Sequence, residues 1–76
     1  MQIQRRQIDE LRAARKRCGL TINHVADAIG VNRTTLSDLE RGCAHAAPTF
    51  RRAWLYVRFV ELAQQEARKV IARGDY

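Results

Sequence analysis

Seventy-six residues with 14 Lys and Arg against 8 Asp and Glu make a small basic chain of formal charge +6. A chain of this length is one domain, buries only about 60% of its unfolded surface, and gains from association; at 46% hydrophobic it is too apolar for a disordered tail. No run approaches the ~20 apolar residues of a membrane span. The basic N-terminus MQIQRRQIDE has no apolar stretch behind it, so it does not read as a secretory signal. The expected location is therefore the cytoplasm, and the charge favours a polyanionic partner: nucleic acid first, an anionic membrane surface second.

The first predicted helix runs from about Gln4 to Arg17. Ile8 and Leu11 point inward, with Ala14, Arg15 and Cys18 continuing that side. Arg5, Arg6, Arg12, Lys16 and Arg17 make the remainder basic, and most of them read as a solvated face.

Residues 19–42, GLTINHVADAIGVNRTTLSDLERG, carry the most information. They predict two short helices joined by a tight turn and followed by a stop. Thr21 and Asn32 are N-cap types, each standing before an apolar-periodic run, with side-chain oxygens suited to accept from first-turn N–H groups. The second helix, about Thr21 to Ile29, buries Val25, Ala26 and Ile29. Gly30 permits the chain reversal at Gly30-Val31. The third helix starts at Asn32, buries Leu36 and Leu39, and ends at Gly42, with Arg41 in the last turn where the helix dipole favours a cation. Arg33, Thr34, Ser37, Asp38 and Arg41 then fall on its outer face, where side chains can meet base edges and phosphates. A plain helical hairpin with a solvated polar face is the bland alternative. Caps, turn, charge and size together favour DNA binding.

After Pro48-Thr49 there is no Gly or Pro until Gly74, and Thr49 is a cap type. Residues 50–73 read as one helix about 36 Å long at 1.5 Å per residue. Phe50, Ala53, Trp54, Val57 and Val60 share the side that covers the first three helices. Leu55, Phe59 and Leu62 lie on another side, flanked by Tyr56 and Ala63, and a domain this small does not easily bury both. Large exposed apolar patches mark interaction sites, so Leu55, Tyr56, Phe59, Leu62 and Ala63 are the expected homodimer interface. Further along, Gln64, Ala67 and Ile71 continue one stripe while Arg68, Lys69 and Arg73 face water. Gly74-Asp75-Tyr76 reads as a frayed end.

Cys18, His24, Cys43 and His45 make a two-Cys, two-His set by count, but their spacings do not fit a zinc finger. No metal, cofactor or disulfide is expected. No nucleophile–base arrangement or phosphate-cradling glycine loop is legible, so the chain does not read as an enzyme.

Residues 11–42 resemble the Cro/repressor-type helix-turn-helix family, found in phage repressors, restriction–modification controllers and many antitoxins. The resemblance is carried by Leu11, Arg15, Gly19-Leu20, Val25-Ala26, Ile29-Gly30-Val31, Leu36, Leu39 and Glu40-Arg41-Gly42, and extends loosely through Phe50, Trp54 and Val60. It implies a partly buried ion pair between Arg15 and Glu40, and places Arg33, Thr34, Thr35 and Asp38 where the family reads bases. The chain departs from the family in having Ile22 where a phosphate-contacting Gln is frequent, and His24 where a capping-box Glu is common. The loop Cys43-Ala44-His45-Ala46-Ala47 lacks the usual cation, which leaves backbone anchoring to Arg41, Arg51 or Arg52. The family also usually breaks the C-terminal region into two helices.

The expected fold is all-α: a four-helix helix-turn-helix domain spanning 1–76, with its helix-turn-helix core at 20–42 and a long C-terminal core and dimerisation helix at 49–73. The expected function is a sequence-specific regulator of transcription, a dimeric repressor binding double-stranded DNA at an inverted-repeat operator. The DNA-contacting set is Thr21, Asn32, Arg33, Thr34, Thr35, Ser37, Asp38, Arg41 and Arg51. The alternative is a protein-interaction module, or antitoxin-like partner-binding protein, that uses the C-terminal helix with DNA binding secondary. A phage regulator, an antitoxin and a restriction controller all remain open.

Overall fold

Three helix ends set the architecture, and two of them turn on glycine. In the computed structural model, which describes residues 4–73 with side chains through Lys69, α1 (Arg5–Arg17), α2 (Ile22–Ile29) and α3 (Arg33–Glu40) precede a 3₁₀ segment (Ala44–Thr49) and α4 (Phe50–Arg73). Among the described residues every regular element is helical, so the class is all-α with four α-helices.

Thr21 caps α2, its hydroxyl accepting from the His24 amide at 3.1 Å. Gly30 ends α2 at φ 73°, a left-handed conformation that a Cβ would strain. The reversal lets the Val31 amide reach the Ala26 carbonyl at 3.0 Å, and two residues later α3 begins. Asn32 stands at the cap position of α3 with extended backbone, but its side chain accepts no capping bond, so the expectation of a second side-chain cap is corrected. Gly42 (φ 87°) closes α3, with the Cys43 amide bonded to the Asp38 carbonyl at 2.9 Å.

The core lies where α1, α2, α3 and the first half of α4 meet. Leu11, Val25, Leu36 and Leu39 are each 1% exposed, and Ala46, Ala53 and Val57 are fully covered. Small residues at 46 and 53 let the 3₁₀ segment and α4 approach closely. Phe50 and Trp54 stack with ring centroids 6.2 Å apart and pack on the same core. Ile8 and Ala14 complete the inner side of α1, while Cys18 is half-buried.

The 24 residues of α4 form one unbroken helix. It begins directly behind the 3₁₀ segment, which stands where the sequence predicts a loop at 43–47. Its outer side carries Leu55, Phe59 and Leu62 in solvent. Tyr56 departs from the expected interface: it turns toward α2, packs against the core, and sets its hydroxyl 2.9 Å from His24 Nε2. Among the described residues Gln64 is the last whose side chain hydrogen-bonds to the body, donating to the Cys18 carbonyl at 3.1 Å. Ala67 does not continue an inward stripe, since residues 65–69 are all exposed. The expectations for the side chains of Ile71 and Arg73 and for Gly74–Tyr76 fall outside the described residues.

Candidate nucleic-acid interface

α3 is held from beneath by apolar anchors and by charge. Leu36 and Leu39 insert into the core. At the end of the helix the Arg15 guanidinium donates to both oxygens of Glu40, from Nε at 2.7 Å and from Nη2 at 2.9 Å, while Nη1 donates to the Leu20 carbonyl at 2.8 Å. Arg15 is 9% and Glu40 7% exposed. Such a bidentate pair fixes direction as well as distance, so α1 sets the tilt of α3 and also holds the chain leading into α2.

The opposite side of α3 is open. Asn32, Arg33 and Thr34 are exposed, and Thr35 and Ser37 are half-buried. Among the described residues the Arg33 side chain takes part in no hydrogen bond or ion pair. Thr21 is exposed at the start of α2, its hydroxyl engaged in the cap. Arg51 is exposed in the first turn of α4, beyond the 3₁₀ segment.

Asp38 requires a correction. It does not lie on the outer face with Arg33; it is 9% exposed and faces the segment that follows α3. There it accepts from the Arg41 guanidinium through Oδ1 and lies 2.9 Å from His45 Nε2 through Oδ2. Gly42 turns the chain back so that the 3₁₀ segment covers this side of the short helix. The Arg41 guanidinium holds the Asp38 carboxyl below its ordinary value; burial opposes this, and the His45 ring adds to the lowering. Asp38 in turn raises the pKa of Arg41. The cluster fixes the Arg41 guanidinium in place at the end of α3, just before residues 43–49, which contain no Lys or Arg.

Two further arrangements lie outside the sequence expectations. Glu61, 8% exposed, sits on the inner side of α4. It accepts from Arg17 at 2.9 Å and 3.1 Å and from Arg58 at 2.5 Å. Arg17 first, then Arg58, holds its carboxyl below the ordinary range against the effect of burial. The helical period put a carboxylate among Ala53, Val57 and Gln64, and that was a readable demand for an inward-reaching cation. The second is the His24–Tyr56 contact, which joins the first turn of α2 to α4. Cys18, beside Glu61, has its thiol pKa raised by burial and then by the carboxylate. Both cysteines are free, and among the described residues no group of three or more His, Cys, Asp or Glu is placed to hold a metal ion.

Two short helices joined at a left-handed glycine, the second anchored below and polar above, define a helix-turn-helix DNA-binding protein. A family model described as helix-turn-helix matches residues 11–62, and the chain belongs to that family, in its Cro/repressor-type branch. Its function is of the kind the family performs, DNA binding in the regulation of transcription, and the family is not one of enzymes. A search of curated proteins finds no match, and a search of solved structures finds none. Among the described residues no helix is long and apolar enough to cross a membrane.

Proposed function

We propose that the protein is a cytoplasmic homodimeric repressor that reads an inverted-repeat operator in double-stranded DNA, at its own or a neighbouring promoter. The observation that carries this reading is the open first turn of α3, where Arg33 and Thr34 stand exposed on a helix whose other side is locked into the core. Arg33 matches the donor geometry of a guanine edge in the major groove. Thr34, with Thr35 and Ser37 behind it, supplies hydroxyls to bases or backbone. Thr21, Asn32, Arg41 and Arg51 fit phosphate contacts, which set affinity and register more than sequence. Asp38 acts in this reading by holding Arg41 and His45 in place, with no base contact of its own. Control in this reading is by the protein's own concentration or by a partner protein.

Selection of bound sequences from a random duplex pool tests the reading. Two half-sites in inverted repeat, about one helical turn or 34 Å apart, are expected for a two-fold dimer. A single unpaired motif bound by a monomer overturns it. The exposed apolar side of α4 favours one other reading, a protein-interaction module with weak DNA contact. Binding to random duplex at two salt concentrations separates the two, because a DNA reader loses affinity steeply as salt rises through counterion release.

A further inference from the structure

The outer side of α4 contains more than an apolar stripe. Arg52, Leu55, Phe59, Leu62 and Glu66 follow one another at steps of three, four, three and four, and all five are exposed. Steps alternating in this way keep side chains on one seam between paired helices. Phe59, 70% exposed, is the midpoint, with Leu55 and Leu62 at 57% and 49% on either side. Arg52 lies seven residues before it and Glu66 seven residues after it. Among the described residues neither Arg52 nor Glu66 has an ion-pair partner in its own chain, although six other arginines of the chain do.

We infer that this seam is closed by a second copy of the chain running antiparallel, with Phe59 on the two-fold axis. The inference rests on the homodimer reading above and adds its register. Reversing the helix about Phe59 sets each residue opposite the one equally far on the other side. Arg52 then faces Glu66 of the second copy, Glu66 faces Arg52, and Leu55 meets Leu62, which lies on the same edge of the seam and within one residue of the same height. A two-fold contact is self-complementary in this sense. Parallel pairing brings Arg52 against Arg52 and Glu66 against Glu66, so the end charges discourage it. The seam is thus complementary to its own reverse, which is what selects a second copy over an unrelated apolar partner.

The test measures the monomer–dimer dissociation constant by sedimentation for the full chain and for Arg52→Glu, Glu66→Arg and the double exchange, with circular dichroism on the same samples. All of the substituted side chains are exposed, so helicity should be unchanged. Each single variant places like charges together twice per dimer and should weaken association about tenfold. The double exchange restores both pairs and should return the constant to within about threefold of the parent. The gap between single and parent should narrow at high salt. A dimer that Phe59→Glu separates but the single charge changes leave untouched overturns the antiparallel register and keeps the homodimer. A dimer that survives Phe59→Glu moves the interface off this seam and overturns the inference. A parent chain that stays monomeric at every concentration overturns the homodimer reading itself.

Discussion

In the α2–α3 unit the apolar anchors Val25, Leu36 and Leu39 are each 1% exposed, whereas on the outside of α4 Leu55, Phe59 and Leu62 stand between 49% and 70% exposed. The same residue types thus serve differently in two regions of one short chain. The first region is bound into its own chain by every means available to a short helix: caps, a glycine reversal and a buried bidentate pair. What it leaves free is polar and concentrated in Asn32, Arg33 and Thr34. The second region leaves its apolar side chains free. A helix of 24 residues is far longer than the body it covers, and its surplus is not consumed by folding. One region is therefore built to present fixed polar groups, the other to present apolar area, and perturbing each should fail in a different observable.

The largest effect is expected in the bound region. Arg15→Met keeps the aliphatic packing but leaves the Glu40 carboxylate buried without its partner, which should cost about 3–5 kcal/mol in denaturant unfolding. For so small a domain that is a large part of total stability. Adding Glu40→Gln should recover much of the loss, because the stranded charge is removed.

Phe59→Glu tests the other region and should leave monomer stability nearly unchanged, since the side chain is 70% exposed. Operator affinity should instead fall by about 10² or more, as the avidity of two linked readers is lost. A large loss of helicity would merge the two regions into one cooperative unit.

Arg33→Ala comes next. It should cost about 1–3 kcal/mol on the selected site and much less on random duplex, measured by fluorescence anisotropy. Equal losses on both would reassign Arg33 to phosphate.

The smallest effect concerns Glu61, which joins the regions. Its folded pKa is lowered by Arg17 and Arg58. The clasp therefore stabilises fully above the unfolded glutamate value, and its contribution fades as pH falls through the lower, folded value. Glu61→Gln should flatten this acid limb of the stability–pH curve while leaving the operator motif unchanged.

The bound region was also the more legible one. Thr21, Gly30 and Gly42 are local signals whose meaning does not depend on distant residues, so helix ends and turn followed from the sequence. The apolar anchors followed from the helical period. Arg15 and Glu40 meet across 25 positions; periodicity alone does not pair them, and it was the resemblance that joined them. Asp38 was misplaced because α3 has only eight residues and the chain after Gly42 folds back over a side that looked free. Tyr56 was misplaced for a related reason: it lies at the border between two faces of α4, and a polar partner on α2, His24, decided its direction. Glu61 was passed over because a charged residue is ordinarily read as facing water, and its partner Arg17 lies 44 positions away.

The end of α4 carries one more consequence. From Gln65 to Lys69 every residue is exposed, and among the described residues the Gln64 bond to Cys18 is the last side-chain hydrogen bond from α4 to the body. A helical segment this short is marginal in water without packing. In the antiparallel arrangement, Glu66 of one subunit lies against Arg52 in the body-anchored first turns of the other. Amide exchange across residues 65–69 then becomes a gauge of assembly, rapid in dilute protein and slowed as subunits meet, while the amides around Leu36 and Leu39 keep one rate throughout.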